Sequence, residues 1–147
     1  MKHVFLLRLL QWTWGLPQNL LGGFLRVFLR LKRFVRKEPF RTASFGHMLV
    51  TGWRMRGSAL SLGMFLFVPE KDPFVPEPVW VHESGHSVQS LLLGPLFLPA
   101  VGIPSLVWAK YFAPLRRKKN ISYYSVYPEK WANRLGGRLT GQDPPAR

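Results

Sequence analysis

The feature that most restricts how this chain can fold is an uncharged stretch of 23 residues, 87–109. About 20 apolar residues in a helix cross the hydrocarbon core of a bilayer, so the stretch is long enough to span one. Glycine and proline interrupt it repeatedly, at Gly94, Pro95, Pro99, Gly102 and Pro104. Proline inside a helix removes a backbone hydrogen bond and clashes with the preceding turn. We therefore predict a broken apolar helical hairpin over residues 94–110 rather than one straight helix.

Two basic blocks lie on either side of this stretch, and they restrict its topology. The 147 residues include 21 Lys and Arg against 7 Asp and Glu, a net charge of +14, and many of the cations lie in residues 26–41 and 116–119. Basic segments next to membrane insertions stay on the cytoplasmic side. Both blocks can do so only if the chain between them crosses an even number of times. We therefore expect the broken segment to enter the bilayer and return to the same side.

The N-terminal segment, residues 4–31, is apolar with a helical pattern that is broken at Gly15, Pro17 and Gly22-Gly23. A signal peptide is the alternative, but Arg8 interrupts the apolar region and no small-residue cleavage site follows. Further along, basic residues recur at helical spacing on one face: Arg26, Arg30, Arg33 and Lys37. Such a helix lies on an anionic lipid surface, or else the stripe is the solvated face of a helix packed on a core. We predict a membrane or interfacial helix over residues 1–40.

Residues 49–68 change to a strand pattern. Apolar and basic residues alternate over 53–56, Gly57-Ser58 is typical of a turn, and residues 59–68 form a short apolar run. We predict a β-hairpin over residues 49–68. The chain is then α+β and mostly helical, and its length suffices for one domain.

Residues 82–86 are His-Glu-Ser-Gly-His, which contains the pattern His-Glu-x-x-His. On a helix, positions i and i+4 share one face, so His82 and His86 can bind one metal ion, with Glu83 beside it as general base for a zinc-bound water. We predict this helix over residues 78–93. The chain has no cysteine, so a further ligand must be a histidine or a carboxylate.

Glu129 is the best candidate for a third ligand, because it begins a run of helix-forming residues that ends at Gly136-Gly137. One glutamate from a second helix completes the two-histidine, one-glutamate sets of catalytic zinc sites. His47 is the alternative, although it fits a strand better. We predict a helix bearing Glu129 over residues 127–136 and a disordered tail over residues 138–147. The predicted Zn²⁺ ligands are His82, His86 and Glu129.

Residues 82–86 and the run Glu129-Lys-Trp-Ala-Asn133 resemble the gluzincin metallopeptidases, in particular the membrane-embedded branch similar to CAAX prenyl proteases. The resemblance implies a minimal zincin over residues 41–137. In that branch an aspartate stands at the position of Asn133 and supports a histidine ligand. An amide oxygen can also hold an imidazole, but it lacks the charge that raises ligand basicity. Gln89, one turn after His86, is a second candidate for such support.

More broadly, the chain resembles a group of small bacterial proteins in four blocks: residues 16–22, 82–90, 93–96 and 103–106. This resemblance implies a bacterial inner membrane, with the basic segments and the active site on its cytoplasmic side. Gly85 also fits the His-Glu-x-Gly-His form of site-two-type intramembrane proteases. Those take their third ligand from a later Asp-Gly motif, which this sequence lacks.

Two further features have open interpretations. Tyr123, Tyr124 and Tyr127 precede Glu129, and one of them is a candidate donor to an oxyanion, although packing or interfacial anchoring is the commoner role. If the zincin resemblance holds, residues 59–68 provide an edge strand that pairs with an extended substrate. Otherwise the hairpin only covers the metal-binding helix.

From these features we predict a membrane-associated zinc-dependent hydrolase, a peptidase, in which Glu83 is the general base. The expected partners are an anionic lipid surface and a peptide or protein substrate, membrane-bound ones included. The alternative is a catalytically inactive zincin-like membrane protein that binds or stabilises a partner, which Asn133 and the small size favour. We do not expect nucleic-acid binding, because the cations lie beside apolar segments and no signature of that class is present.

Overall fold

A computed structural model of the chain describes residues 2–54, 59–71, 74–75 and 77–145. The fold is α+β and mostly helical, as predicted. The helices are α1 (Lys2–Thr13), α2 (Leu16–Val35), α3 (Glu77–Leu93), α4 (Ile103–Lys110), α5 (Ala113–Lys119) and α6 (Tyr127–Thr140). The strands are β1 (Thr42–Phe45), β2 (Met48–Trp53), β3 (Leu60–Leu62) and β4 (Phe65–Pro69).

The predicted N-terminal helical segment over residues 1–40 consists of two helices, with a break at only one of the places that the sequence indicated. α1 and α2 are separated at Gly15, whereas the glycine pair at 22–23 leaves α2 unbroken. A Cβ atom on Gly22 would lie 2.9 Å from the carbonyl oxygen of Leu62, closer than two such atoms approach. Gly22 therefore allows α2 to pack closely on the sheet and does not break the helix.

The basic stripe of α2 turns partly toward the protein, which corrects the expectation that it faces lipid or solvent. Arg33 is buried and forms ion pairs with Glu70 at 2.7 Å and with Glu38 at 3.2 Å. Arg26 donates a hydrogen bond to the Thr51 hydroxyl on β2 at 2.8 Å. A guanidinium removed from water needs partners that replace its hydration, and these contacts provide them. They attach α2 to the sheet.

The sheet has the strand order β1-β2-β4-β3. β1 and β2 form one antiparallel hairpin, β3 and β4 form another, and the central strands β2 and β4 run parallel, with Leu49 opposite Phe65. The two hairpins turn at Gly46 and Gly63, where φ is +54° and +62°, values that glycine adopts without strain.

The predicted single hairpin over residues 49–68 is corrected by this topology. Gly63 divides the apolar run 59–68 into two short strands, and β4 is hydrogen-bonded on both sides. Of the predicted edge strand, only β3 lies at an edge of the sheet. The predicted turn at Gly57-Ser58 lies outside the described residues.

The sheet forms a middle layer between α2 and α3. On one face, Leu25 and Leu29 of α2 pack against a cluster of buried side chains: Trp53, Met64, Phe65 and Phe67. On the other face, Val79 and Trp80 of α3 pack against a second cluster: Met48, Val50, Leu66 and Val68. Burial of apolar side chains on both faces explains why the central strands are nearly continuous apolar runs.

α3 and α6 pack against each other at very short range. α3 begins one residue before its predicted start and ends where predicted. α6 begins at Tyr127 as predicted but continues through Gly136-Gly137 to Thr140, so the predicted helix end is corrected and the predicted tail begins with three helical residues, 138–140. A Cβ atom on Gly85 would lie 1.9 Å from the carbonyl oxygen of Ala132. Gly85 therefore allows the backbones of α3 and α6 to pack closely, and Gly136 does the same from α6.

The uncharged stretch breaks at the predicted place. Gly94 has a φ of +53° and begins a 3₁₀ turn (Gly94–Leu96), which is followed by a π-helical turn (Leu98–Gly102) and by α4. Within the described residues, no helix has the length and apolar composition needed to cross a bilayer.

Candidate metal centre

Three predicted ligands meet where α3 and α6 pack together. One ligand atom each from His82, His86 and Glu129 lies within 4.8 Å of the other two. The two imidazole Nε2 atoms are 3.1 Å apart. Oε2 of Glu129 lies 3.0 Å from Nε2 of His82 and 3.4 Å from Nε2 of His86. We call this group the metal cluster.

The local sequence explains how each ligand reaches the cluster. His82 and His86 are one helical turn apart on α3 and therefore face the same side. Glu129 lies in the first turn of α6 and is fully buried. Gly85 lies between the two histidines and contacts the backbone of α6. α6 therefore lies close enough to α3 for the Glu129 side chain to reach both imidazoles.

Two amide side chains fix the orientation of the imidazoles. Nδ1 of His82 lies 2.7 Å from Oδ1 of Asn133, and Nδ1 of His86 lies 2.7 Å from Oε1 of Gln89. The amide nitrogen of Gln89 donates to the carbonyl oxygen of Pro128 at 2.9 Å, which fixes its amide orientation. Amide oxygens only accept hydrogen bonds, so each Nδ1 carries the proton. In the neutral rings, both Nε2 lone pairs therefore point into the cluster.

The predicted supporting residues Asn133 and Gln89 thus each contact one imidazole. Metal-binding histidines usually donate their second ring N–H to an oxygen acceptor, which fixes the tautomer. Here one acceptor comes from α6 and the other from α3 itself. The contact of Asn133 places an amide oxygen at the acceptor position of the His82 ring N–H.

The cluster has the dimensions of a divalent-metal site. Without a metal ion, a single proton can lie between one imidazole nitrogen and the carboxylate. The lone pair of the second imidazole then points at atoms that are themselves hydrogen-bond acceptors, which is unfavourable. A tetrahedral ion about 2.1 Å from nitrogen and oxygen ligands would separate those ligands by about 3.4 Å. The observed separations of 3.0, 3.1 and 3.4 Å come within about 0.4 Å of this value. The donor set, two neutral imidazoles and one carboxylate, suits Zn²⁺.

Electrostatics keep the carboxylate ionised. Burial would raise the pKa of Glu129, but hydrogen bonds from His82 and His86, which form when an imidazole is protonated, outweigh burial and lower the pKa. Burial lowers the pKa of His82, yet the hydrogen bond to Glu129 and the charges of Glu83 and Glu129 outweigh burial and raise it. Both shifts reflect one property, a buried negative charge that attracts a cation to the imidazole nitrogens.

Glu83 lies next to His82 on α3 and is also buried. Burial raises the pKa of its carboxyl group, while the charges of His82 and His86 oppose this shift. Among the described residues, no hydrogen-bond partner reaches its Oε2 atom. A buried carboxylate oxygen without a partner is free to accept a proton from another molecule.

Ser105 is a site residue that the sequence analysis did not assign. Its hydroxyl group donates a hydrogen bond to Oε1 of Glu129, and it lies 3.4 Å from the hydroxyl group of Tyr123. Oε1 is therefore occupied, and Oε2 faces the imidazoles. The sequence signal was the block 103–106, but nothing local indicated that Ser105 meets a residue 24 positions away.

The three tyrosine candidates have different surroundings in the structure. The Tyr124 ring lies 5.1 Å from the His82 ring, and the Tyr123 ring lies 6.4 Å from it. Burial and the charge of Glu129 raise the pKa of Tyr123, so its hydroxyl group stays protonated. Tyr127 is exposed and stacks on Trp131.

His47 is not part of the metal cluster. It is buried in the turn between β1 and β2, where its Nε2 atom lies 2.6 Å from the Ser87 hydroxyl group. Ser87 also accepts a hydrogen bond from Gln11 of α1, and Ser90 donates one to Gln11 at 3.0 Å. These side chains form a buried polar network on α3 that attaches it to the N-terminal helices. His47 therefore has a packing role.

The sequence matches no protein-family model and no curated protein, and the structure matches no solved structure.

Proposed function

We propose that the protein is a metal-dependent hydrolase, with Zn²⁺ as its metal and peptides as its substrate class. The observation that carries the proposal is the convergence of two imidazole Nε2 atoms and the Glu129 carboxylate between α3 and α6. Two histidines and one glutamate form a ligand set of catalytic zinc sites, which leave a fourth position open.

The chemistry follows from the residues around the cluster. When bound, the ion would supply Lewis-acid chemistry, polarising the scissile carbonyl group and lowering the pKa of a coordinated water. Glu83 would accept a proton from the attacking water and pass it to the leaving amine, a role that its unpartnered Oε2 atom supports. The hydroxyl group of Tyr123, which stays protonated and lies near Ser105 and Glu129, would be the donor to a developing oxyanion.

We extend the proposal to the fold, which would be a minimal zincin. α3 carries the His-Glu-x-x-His pattern and packs on one face of the sheet, and α6 carries the third ligand. β3 would be the strand that pairs with an extended peptide, because β4 has neighbours on both sides.

Metal content tests this proposal directly. We would purify the wild type and the variants His82→Ala and Glu129→Ala, incubate them with Zn²⁺, and measure metal per chain by mass spectrometry. The wild type should retain about one ion per chain and both variants should lose it, since removing one of three ligands opens the site. His3→Ala is the matched control, because His3 is exposed and lies outside the cluster. Equal metal content in all four proteins would overturn the proposal.

Burial of the cluster favours a second candidate, a catalytically inactive zincin-like protein in which the metal is structural. His82 and Glu83 are each 5% exposed and Glu129 is fully buried, so the described residues leave little room for a substrate. Hydrolysis separates the two candidates. A zinc-loaded wild type that cleaves no member of a random fluorogenic peptide library would favour the structural role.

A further inference from the structure

Apart from Leu25 and Leu29, which pack on the sheet, α2 departs from the usual arrangement of a helix on a water-soluble protein. Polar residues face the protein, with Gln18 and Asn19 fully buried and Arg33 held in ion pairs. Eight apolar side chains of α2 are more than half exposed, among them Leu20, Phe24, Phe28, Leu31, Phe34 and Val35. A surface helix normally buries its apolar stripe, so this outer face requires an apolar partner.

The exposed apolar side chains are concentrated in two segments. Exposed large apolar side chains lie mainly within residues 5–35 and 92–115. Among the described residues, three lie elsewhere. The two segments adjoin, because Gln18 of α2 donates hydrogen bonds to the Ser90 hydroxyl group and to the carbonyl oxygen of Gly94. We call the exposed apolar side chains of these two segments the apolar surface.

Charge indicates which partner covers the apolar surface. Residues 1–37 and 84–128 contain no acidic residue. Exposed cations lie among the apolar side chains in both segments, including Arg30, Lys32 and Lys110. A bilayer with anionic lipids offers hydrocarbon to the apolar side chains and phosphate to the cations. A second copy of this chain would place the same cations opposite each other, and nucleic acid would leave the apolar side chains in water.

We propose that the apolar surface docks on a bilayer that contains anionic lipids, with α1, α2 and α4 lying in the interface between headgroups and acyl chains. The protein then lies on the membrane without crossing it. The cytoplasmic face of a bacterial inner membrane, expected from the sequence, provides such lipids.

Docking places the metal cluster close to the membrane. On α4, Ser105 faces the cluster and bonds to Glu129, while Ile103, Leu106 and Val107 are exposed. A single helix therefore separates the cluster from the apolar surface. If the protein is the proposed hydrolase, a peptide held at the membrane would be the substrate closest to the site. The docking itself does not depend on the hydrolase function.

Vesicle flotation tests the docking. The full chain would be exchanged from detergent and mixed with vesicles of phosphatidylcholine alone or of equal parts phosphatidylglycerol and phosphatidylcholine. We expect binding to the anionic vesicles to exceed binding to the neutral ones and to weaken with salt. Phe24→Glu should reduce binding about tenfold, because it removes an inserted ring and adds a repelled charge. Leu139→Glu is the matched control, since Leu139 is exposed outside the apolar surface, and it should bind like the wild type.

Each other outcome counts against the docking. Equal losses for Phe24→Glu and Leu139→Glu would show that charge alone drives binding and would overturn the assigned surface. A dimer in analytical ultracentrifugation that Phe24→Glu dissociates would assign the surface to a second copy instead. Displacement of the protein from anionic vesicles by duplex RNA would favour nucleic acid. Zinc content, measured on the same samples, separates failure of docking from failure of the proposed hydrolase site.

Discussion

Gly136 of α6 lies against the carbonyl oxygen of Val81 of α3, so closely that a Cβ atom on the glycine would come within 1.9 Å of that oxygen. The contact lies one residue before His82 on α3 and one turn after Asn133 on α6. Backbone packing at this point therefore sets the distance over which the Glu129 carboxylate reaches the imidazoles.

Replacing Gly136 by alanine should push the two helices apart. We expect Gly136→Ala to lower the free energy of unfolding by about 3 kcal/mol and to weaken zinc binding, because the overlap is with backbone that cannot rotate away. Thermal unfolding and metal titration measure the two effects. Gly137→Ala is the matched control: its nearest contact would be 3.3 Å, to the carbonyl oxygen of Gln142, and helix propensity favours alanine there. Equal destabilisation by both would contradict the packing role.

Asn133 should set the basicity of His82. Asn133→Ala removes the acceptor at 2.7 Å from Nδ1, and we expect zinc affinity to fall about 10- to 100-fold. Asn133→Asp keeps the acceptor and adds charge, so its affinity should equal or exceed that of the wild type. Competition with a fluorescent chelator measures both values. If Asn133→Ala bound zinc as tightly as the wild type, the proposed support of the imidazole would be wrong.

Ser105 should hold the Glu129 carboxylate in the orientation that presents Oε2 to the imidazoles. Ser105→Ala leaves Oε1 without this donor, and we expect zinc affinity to fall about tenfold or more. Ser105→Thr retains a hydroxyl group and should rescue part of the loss. Ser125→Ala, an exposed serine whose hydroxyl bonds to the Ser122 carbonyl oxygen, is the control and should leave affinity unchanged. An unchanged affinity in Ser105→Ala would assign this serine a role in packing alone.

Glu83 should be required for turnover but not for metal binding. Glu83→Gln keeps the shape of the side chain and removes its ability to accept a proton, so we expect zinc to stay bound and peptide hydrolysis to fall about 10²- to 10⁴-fold. Hydrolysis is measured with a fluorogenic peptide that the wild type cleaves, and zinc is measured on the same preparation. Wild-type turnover in Glu83→Gln would eliminate it as general base.

Removing the metal should destabilise the fold. An ion present at 100 times its dissociation constant adds about 2.7 kcal/mol, which in a domain of this size raises the melting temperature by about 5–10 °C. A chelator should therefore lower the melting temperature of the wild type by that amount. His82→Ala, which lacks one ligand, should melt at the same temperature with and without chelator. A wild type insensitive to the chelator would indicate that no metal contributes to stability.

The helices and the convergence of the candidate ligands were largely predictable, because their signals are local. His82 and His86 share a helical face by spacing alone, and α3 and the start of α6 follow from patterns within ten to twenty residues. Glu129 could be selected because the sequence offers few carboxylates and only this one begins a helix after the histidines. Such inferences need no knowledge of which segments pack together.

The pairing of distant segments was beyond the sequence. The apolar run 59–68 is compatible with one strand, and only contact with β2 shows that it divides at Gly63 into β3 and β4. Gly136 is typical of a helix end, yet the close approach of α3 makes glycine necessary inside the helix. The sequence indicates a solvated cation at Arg33, but in the structure its guanidinium pairs with the Glu70 carboxylate at 2.7 Å.

Local patterns in the sequence indicate which residues carry ligand chemistry and on which helices they lie, since periodicity is encoded within each segment. The contacts between segments establish that α3 and α6 meet through their backbones, that Ser105 reaches Glu129, and that Gln18, Asn19 and Arg33 of α2 face the protein. Those outcomes depend on free energies of contact between segments far apart in the chain, and local patterns do not record them.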